Sequence, residues 1–87
     1  MKELARLATS DGGSIVLYDW MEARDVNLVR LDADGRVIWR AKPYMPPEDC
    51  FVRVWWEGER LTAQTFSCFE VAVDASSGAV TAIRFTK

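Results

Sequence analysis

Carboxylate side chains are the groups of this sequence that come closest to a constellation for acid–base chemistry. They occur in three pairs: Asp32/Asp34, Glu48/Asp49 and Glu57/Glu59. Two neighbouring carboxyls whose pKa values differ can act as general acid and general base. Each pair falls in or beside a predicted turn, where charge is expected because turns lie at the surface. The 87 residues include no histidine, so the commonest general base and metal ligand is missing. We therefore predict no catalytic residue and a protein that is not an enzyme.

The possible nucleophiles and metal ligands also lack the spacing that their chemistry requires. No serine lies in a Gly-x-Ser-x-Gly setting or has a histidine to activate it. Cys50 and Cys68 are eighteen residues apart, whereas zinc and thioredoxin-like sites use closely spaced cysteine pairs. The stretch DADG at 32–35 lacks the further oxygen ligands of a calcium loop. We predict no metal and no cofactor, and we expect buried free thiols.

Arg53 interrupts a predicted strand that is otherwise apolar and aromatic. It shares one strand face with Phe51 and Trp55, because successive side chains of a strand point to opposite faces. A guanidinium beside an indole contributes roughly 0.5 to 2 kcal/mol, and tryptophan and arginine are enriched at interface hot spots. We therefore predict an interface at Phe51, Arg53 and Trp55, covered by a second copy of the chain or by another protein.

Asp19 also interrupts an apolar stretch, SIVLYDW, and suggests an alternative function of a different class. A cleft with this carboxylate as its polar group would bind a small ligand or hydrolyse one. Its aromatic walls would be Trp20, Trp39 and Trp55. This alternative predicts a small-ligand binder or hydrolase in place of an interaction module.

The adjacent tryptophans of FVRVWWEGER, at 51–60, cannot both enter one core. In an extended strand Trp55 and Trp56 point to opposite faces. Val52, Val54 and Trp56 form an uninterrupted apolar set, so we predict that this set packs in the core. Phe51 and Trp55 would then lie on the opposite side.

Short segments rich in β-branched and aromatic residues account for most of the chain. Seven are clear predicted strands: SIVLYDW, VNLVRLD, RVIWRAK, CFVRVWW, RLTAQTF, CFEVAVD and AVTAIRF. The opening ELARLAT suits a helical turn or an eighth strand, and we favour the strand. Short connections of this kind join antiparallel neighbours. The predicted fold is an all-β antiparallel meander of seven to eight strands, forming either two four-stranded units or a small curled barrel.

The segment Pro43 to Pro47 divides the chain into halves that resemble each other. NLVRLDADGRVIWRAK aligns with FEVAVDASSGAVTAIRFTK, with Asp32 against Asp74 and Gly35 against Gly78. The aspartate can cap its own turn, and the glycine can supply a positive φ. The offset of 42 to 43 residues suits a four-stranded propeller blade, although hairpin chemistry alone could produce the same match.

The stretch LVRLDADGRVIWR resembles the repeat of quinoprotein-type β-propellers, in which a strand ending near Asp precedes a Gly turn and a strand carrying Trp. Those residues are Asp32, Gly35 and Trp39. The second half departs from the pattern, since Ala82 stands where the tryptophan would be. The resemblance implies blade-like units. It says nothing about quinone binding, because the cofactor ligands of such enzymes lie at the axis of a many-bladed ring, and no counterpart of that ring is visible in this sequence.

Composition and charge narrow the classes of partner. The chain is 49% hydrophobic and 28% charged, the balance of a folded globular protein. Eleven basic and thirteen acidic residues give a net charge of -2, and the basic residues are scattered, so we predict no nucleic-acid partner. The opening MKELARLATSDGG has no apolar run long enough for a signal peptide or membrane span. We expect no membrane partner and a cytoplasmic location.

These observations lead us to expect a single all-β domain, residues 1–87, with blade-like halves at about 2–42 and 50–87. We expect it to act as a non-enzymatic interaction or self-assembling module. Two blades cannot close a ring, since propellers typically have four to eight. A propeller-like version would therefore have to associate with further copies, giving a homo-oligomer.

Overall fold

Strands account for most of the computed structural model, which describes residues 2–23, 26–43 and 49–85. The strands are β1 Glu3–Ala8, β2 Ser14–Tyr18, β3 Leu28–Leu31, β4 Val37–Ala41, β5 Phe51–Glu57, β6 Arg60–Thr65, β7 Phe69–Val73 and β8 Val80–Phe85. The opening segment is therefore a strand, as predicted. Most of the proline-containing segment that was predicted to divide the halves lies outside the described residues.

One helical turn, α1 Trp20–Ala23, follows β2. The sequence predicted a strand as far as its first residue and a turn over the rest. None of the helical segments in the described part of the chain has the length and hydrophobicity needed to cross a bilayer.

The strands form two antiparallel sheets, and in each the spatial order of the strands follows the chain. Sheet A has the order β1-β2-β3-β4, and sheet B has the order β5-β6-β7-β8. Each sheet is a four-stranded meander, which confirms the predicted all-β antiparallel fold. Neither sheet closes on itself within the described residues, so the alternative of a curled barrel is wrong.

Two hairpins end in the turns that the sequence identified from an aspartate and a glycine. Gly35 and Gly78 have φ values of 84° and 79°, a region that glycine enters without steric cost. The Oδ1 atom of each aspartate, Asp32 or Asp74, accepts two backbone N–H groups of its own turn at 2.8 to 3.2 Å. Both predicted positive-φ positions are therefore confirmed.

β5 contains an irregularity that turns the side chain of its first residue, Phe51, to the face opposite to the predicted one. The register with β6 shifts between Phe51 and Arg53, as at a β-bulge, where one extra residue interrupts the alternation of faces. Phe51 is consequently fully buried in the core, on the same side as Trp56. The prediction that Phe51 shares an exposed face with Trp55 is wrong.

The hydrophobic core lies between the two sheets, and both contribute to it. Its buried members are Ile15, Leu17, Leu28, Trp39, Ala41, Phe51, Leu61, Ala63, Val71 and Val73. Val54 and Trp56 pack against this cluster, as predicted from the apolar face of β5. Val52, the third member of that predicted set, is the extra residue of the bulge and lines a surface groove.

Polar contacts also join the two sheets. Asn27 is fully buried, and its Nδ2 donates to the backbone carbonyls of Tyr18 at 3.0 Å and Phe51 at 2.7 Å. Its Oδ1 accepts the backbone N–H of Phe51 at 3.0 Å. Trp56 Nε1 donates to the carbonyl of Ala8 at 3.1 Å. The two bonds between Asn27 and Phe51 are buried and fix the start of β5 against sheet A.

Trp39 of β4 reaches the turn between β7 and β8 in sheet B. Its Nε1 donates to the carbonyl of Ala75 at 2.8 Å. The indole lies so close to Gly78 that a Cβ atom added there would be 2.7 Å from Trp39 Cδ2. Gly78 is thus required both by its φ and by the approach of the indole.

Cys50 and Cys68 are not disulfide-bonded, as predicted, but only Cys50 is buried. Burial raises the pKa of the Cys50 thiol, and the negative charge of Asp49 raises it further. A protonated thiol is a poor nucleophile, so Cys50 is suited to packing.

Candidate functional site

The outer face of sheet B carries Arg53 and Trp55, two of the three residues of the predicted interface. Both alternate with Val54 and Trp56, which pack on the core, so they point away from it. The guanidinium carbon of Arg53 lies 5.9 Å from the centre of the Trp55 ring, within the range of a cation–π contact. Arg53 is exposed and Trp55 is half-buried. Together they form a stacked pair on the edge strand of the sheet.

A shallow groove of about 310 Å³ lies between the edge strands β1 and β5, beside this pair. Its lining residues are Leu4, Ala5, Leu17, Val52, Arg53, Val54 and Trp55. Leu4 and Val52 are the extra residues where the registers of β1 and β5 shift. Such irregularities occur beside binding sites and also keep edge strands from pairing with another sheet. The groove places an apolar surface next to a cation.

Polar residues continue the outer face of sheet B away from β5. Thr62 is fully buried although it lies on this face, because it is flanked by Trp55 on β5 and Ala72 on β7. Beyond it, Arg84 Nη2 and Glu70 Oε1 form an ion pair at 3.1 Å. The face therefore presents both signs of charge around an aromatic centre.

The residues of the predicted aromatic cleft are not brought together. Trp39 is buried against the β7–β8 turn, Trp20 begins α1 and is 37% exposed, and Trp55 lies on the outer face of sheet B. Asp19 Oδ1 accepts the backbone N–H of Met21 at 2.9 Å, so this carboxylate caps the start of α1. β2 ends one residue before Asp19, so the strand alternation behind the prediction does not extend to it.

The predicted carboxylate pairs stabilise turns and neighbouring backbone. Asp32 caps its own turn, and Glu57 forms an ion pair with Arg60 at 2.6 Å. Asp49 accepts the backbone N–H and the hydroxyl of Ser67, at 3.0 and 2.6 Å. The residue before Asp49 lies outside the described residues. In the described ranges, no cluster of three or more side chains is suited to hold a metal ion.

A larger concavity, the inter-sheet cleft, lies between the two sheets and was not predicted. Its volume is about 670 Å³, within the range of small-ligand sites. Three turns form it, at 8–10, 58–59 and 75–76, together with Arg30 and Trp56. The cleft thus combines residues that are far apart in the sequence.

Arg30 is the cation of the inter-sheet cleft. It follows Leu28 by two residues on β3, where alternation predicts an inward, apolar side chain. Its terminal nitrogens donate to the carbonyl of Ala75 and, at 3.0 Å, to Asp11 Oδ2. Its Nε is buried and has no hydrogen-bond partner among the described residues. An arginine on an otherwise apolar strand face is the sequence signal that points to this cleft.

Asp11 balances the charge of Arg30. Its carboxylate accepts hydrogen bonds from the Thr9 hydroxyl and from the backbone N–H of Gly13. These bonds, and then the Arg30 guanidinium, lower the pKa of Asp11 to about 2. Asp11 is therefore ionised at neutral pH, and the Arg30–Asp11 pair has no net charge.

Comparison with known proteins bears on the resemblance noted in the sequence. No curated protein and no solved structure is significantly similar to this chain. No quinoprotein or propeller family is identified. The part of the resemblance that the structure supports is the presence of two four-stranded sheets. The family described as Domain of unknown function (DUF7957) matches residues 2–85, and the chain therefore belongs to that family.

Proposed function

We propose that this protein is a non-enzymatic interaction module that associates with further copies of itself through the outer face of sheet B. The observation that carries the proposal is the stacked pair of Arg53 and Trp55 beside the groove between β1 and β5. Tryptophan and arginine are the residue types that most often dominate binding energy at interfaces. The Trp55 indole does not pack in the core, so its area is available to a second copy.

The chemistry of the described residues supports binding more than catalysis. The sequence has no histidine, and the carboxylates of Asp19, Asp32 and Asp49 are engaged by backbone N–H groups. The raised pKa of the Cys50 thiol keeps it protonated at neutral pH. None of these side chains is paired with a base that would activate a nucleophile.

We further infer that the two sheets are blade-like units of the propeller type. Each half contains a hairpin with an Asp and Gly turn, and Trp39 of the first half packs on the Gly78 turn of the second. Two blades do not close a ring. A further blade packed against sheet B would therefore have to come from another copy of the chain. Ala82 stands where the second tryptophan would be, so a further copy would have to be held by other residues, such as Arg53 and Trp55 on the opposite edge strand of the sheet.

The charges on this face are compatible with self-association. Arg53 and Arg84 are cationic, and Glu57 and Glu70 are anionic. In a two-fold interface the same patch meets itself, so each cation of one copy can face an anion of the other. Such complementarity fixes register and the rate of encounter more than it adds affinity.

Light scattering during size-exclusion chromatography tests the proposal. Trp55→Ser should convert the oligomer to the monomer, because it removes the aromatic centre of the face. Trp20→Ser removes another partly exposed tryptophan, on α1, and should leave the mass unchanged. A wild-type protein that stays monomeric at high concentration, or equal masses for wild type and Trp55→Ser, would refute the proposal.

A further inference from the structure

We propose that the inter-sheet cleft binds an uncharged, hydroxyl-rich ring compound of the saccharide type. This second site is separate from the outer face of sheet B. It has a volume of about 670 Å³ and lies where turns of both sheets meet Arg30 and Trp56. Loops held by a rigid scaffold are where binding residues concentrate.

The charge of the cleft argues against a phosphate or another dianion as its ligand. The lining residues include one cation, Arg30, and one anion, Glu59. Arg30 is already paired with Asp11, at 3.0 Å between Nη2 and Oδ2, so no positive charge is left over. Each of its terminal nitrogens already donates one hydrogen bond, to Ala75 or to Asp11, so the guanidinium is not free to turn both nitrogens toward one anion. The charge left in the cleft is the Glu59 carboxylate, which disfavours an anion and can accept hydrogen bonds from the hydroxyls of an uncharged ligand.

The polar groups without partners match a ligand that both donates and accepts hydrogen bonds. The Glu59 carboxylate can only accept, and the hydroxyls of Ser10 and Ser76 can do both. None of these three side chains has a hydrogen bond or ion pair within the described part of the chain. Arg30 Nε is a buried donor that also lacks a partner, which is uncommon in folded proteins. The hydroxyls of a sugar could donate to the Glu59 carboxylate and exchange hydrogen bonds with the two serines.

Trp56 supplies the apolar contact that a sugar ring also requires. Its indole packs on the core, and its Nε1 donates to the carbonyl of Ala8 at 3.1 Å, so the ring is held in one orientation. The C–H groups of a sugar ring are apolar, while its hydroxyls project around the rim. A ring lying on Trp56 would direct hydroxyls toward Glu59 and the serines, the mixture of an apolar surface and a few placed polar groups that small-ligand sites use.

Titration of the ¹⁵N-labelled protein with maltose, cellobiose and lactose, followed by NMR, tests this proposal. We expect saturable shifts of the amides at 8–10, 58–59 and 75–76, with a Kd on the order of 1 mM or tighter. Glucose 6-phosphate is the charged probe and should bind no more tightly than the neutral sugars. Adenosine is an uncharged nucleoside that carries hydroxyls on its ribose only, and it should bind more weakly than the disaccharides.

Two glutamate variants locate the binding. Glu59→Gln should weaken sugar binding about tenfold, the usual effect of losing a charge-assisted hydrogen bond. Glu3→Gln should bind as the wild type does, because Glu3 pairs with Arg6 and lies outside the cleft. Both positions are exposed, so neither change should unfold the chain. The proposal is overturned if no neutral sugar shifts these amides, if the sugar phosphate or adenosine binds more tightly, or if both variants weaken binding equally.

Discussion

An added methyl group at Gly78 should lower the stability of the fold more than one at Gly35. A Cβ atom at Gly78 would lie 2.7 Å from Trp39 Cδ2, whereas at Gly35 it would meet no atom within 4 Å. Both residues have a positive φ, so Gly35→Ala carries a conformational cost of about 1 to 2 kcal/mol. Gly78→Ala carries a similar cost and adds overpacking, typically about 1 to 3 kcal/mol. Urea denaturation should therefore give a clearly lower midpoint for Gly78→Ala. Equal midpoints would mean that the indole does not rest on Gly78.

Asp11 makes the stability of the turn between β1 and β2 depend on pH. Hydrogen bonds from Thr9 and Gly13, and then Arg30, lower its pKa from 3.8 to about 2 in the folded chain. A folded-state pKa below the unfolded value stabilises the fold above about pH 4, and this contribution is lost as the pH falls through about 2. Asp11→Asn should therefore be less stable than wild type at neutral pH, and the difference should shrink toward about pH 2.

Urea titrations at neutral and acidic pH check this expectation. Asp34→Asn is the matched control, because Asp34 is an exposed turn carboxylate that forms no ion pair with the described residues. The free energy of unfolding of this variant should stay close to the wild-type value. If the difference for Asp11→Asn is independent of pH, the carboxylate is not held by these bonds.

At the scale of strands, the alternation of side chains predicts the fold and fails where a strand is irregular. Arg53 and Trp55 follow the register shift of β5, so the sequence pattern gives their outward direction correctly. Phe51 precedes the shift, and its predicted face is reversed. A bulge is fixed by pairing with the neighbouring strand and by the core beneath it, which local sequence does not record.

The sequence predicts one of the two candidate sites, the Arg53 and Trp55 pair, but not the inter-sheet cleft. Arg53 and Trp55 are neighbours on one strand, so a two-residue period is enough to place them together. The inter-sheet cleft combines Arg30, Trp56 and three turns, and only the packing of the two sheets brings these together. Asp19 lies beyond the end of β2 and caps α1, and where a strand ends depends on its partners.

Asn27 is the polar residue by which the start of β5 is tied to sheet A. Its side chain makes two hydrogen bonds to the backbone of Phe51 and one to that of Tyr18. Asn27→Ala would leave buried donors and acceptors unpaired, each at about 1 to 3 kcal/mol, so we expect a loss of several kcal/mol. Thr62→Val is the control, because Thr62 is equally buried but its hydroxyl makes one weak contact at 3.4 Å. Denaturation midpoints in urea measure both, and a change no larger than that of Thr62→Val would contradict the assigned role.

At the scale of the whole molecule, few polar contacts hold the two sheets together, so their shared core decides whether the chain folds. Asn27, Trp39 and Trp56 bridge the sheets through hydrogen bonds, and the indoles also fill space between them. A chain of this length buries only about 60 to 65% of its unfolded surface, so one large aromatic carries a sizeable share of the stability. The outer face of sheet B lies outside this arrangement, so a substitution on that face should leave the fold intact.

The adjacent tryptophans of β5 should therefore respond in opposite ways to the same substitution. Trp56→Ser removes an aromatic side chain that packs on the core and leaves the Ala8 carbonyl without its donor. Such truncations cost about 3 to 5 kcal/mol, comparable to the whole stability of a small domain, so we expect loss of cooperative unfolding in circular dichroism. Trp55→Ser removes an indole from the outer face and should keep both the β-sheet spectrum and a cooperative transition. If Trp55→Ser unfolds the protein while Trp56→Ser remains folded, the two faces of β5 are assigned the wrong way round.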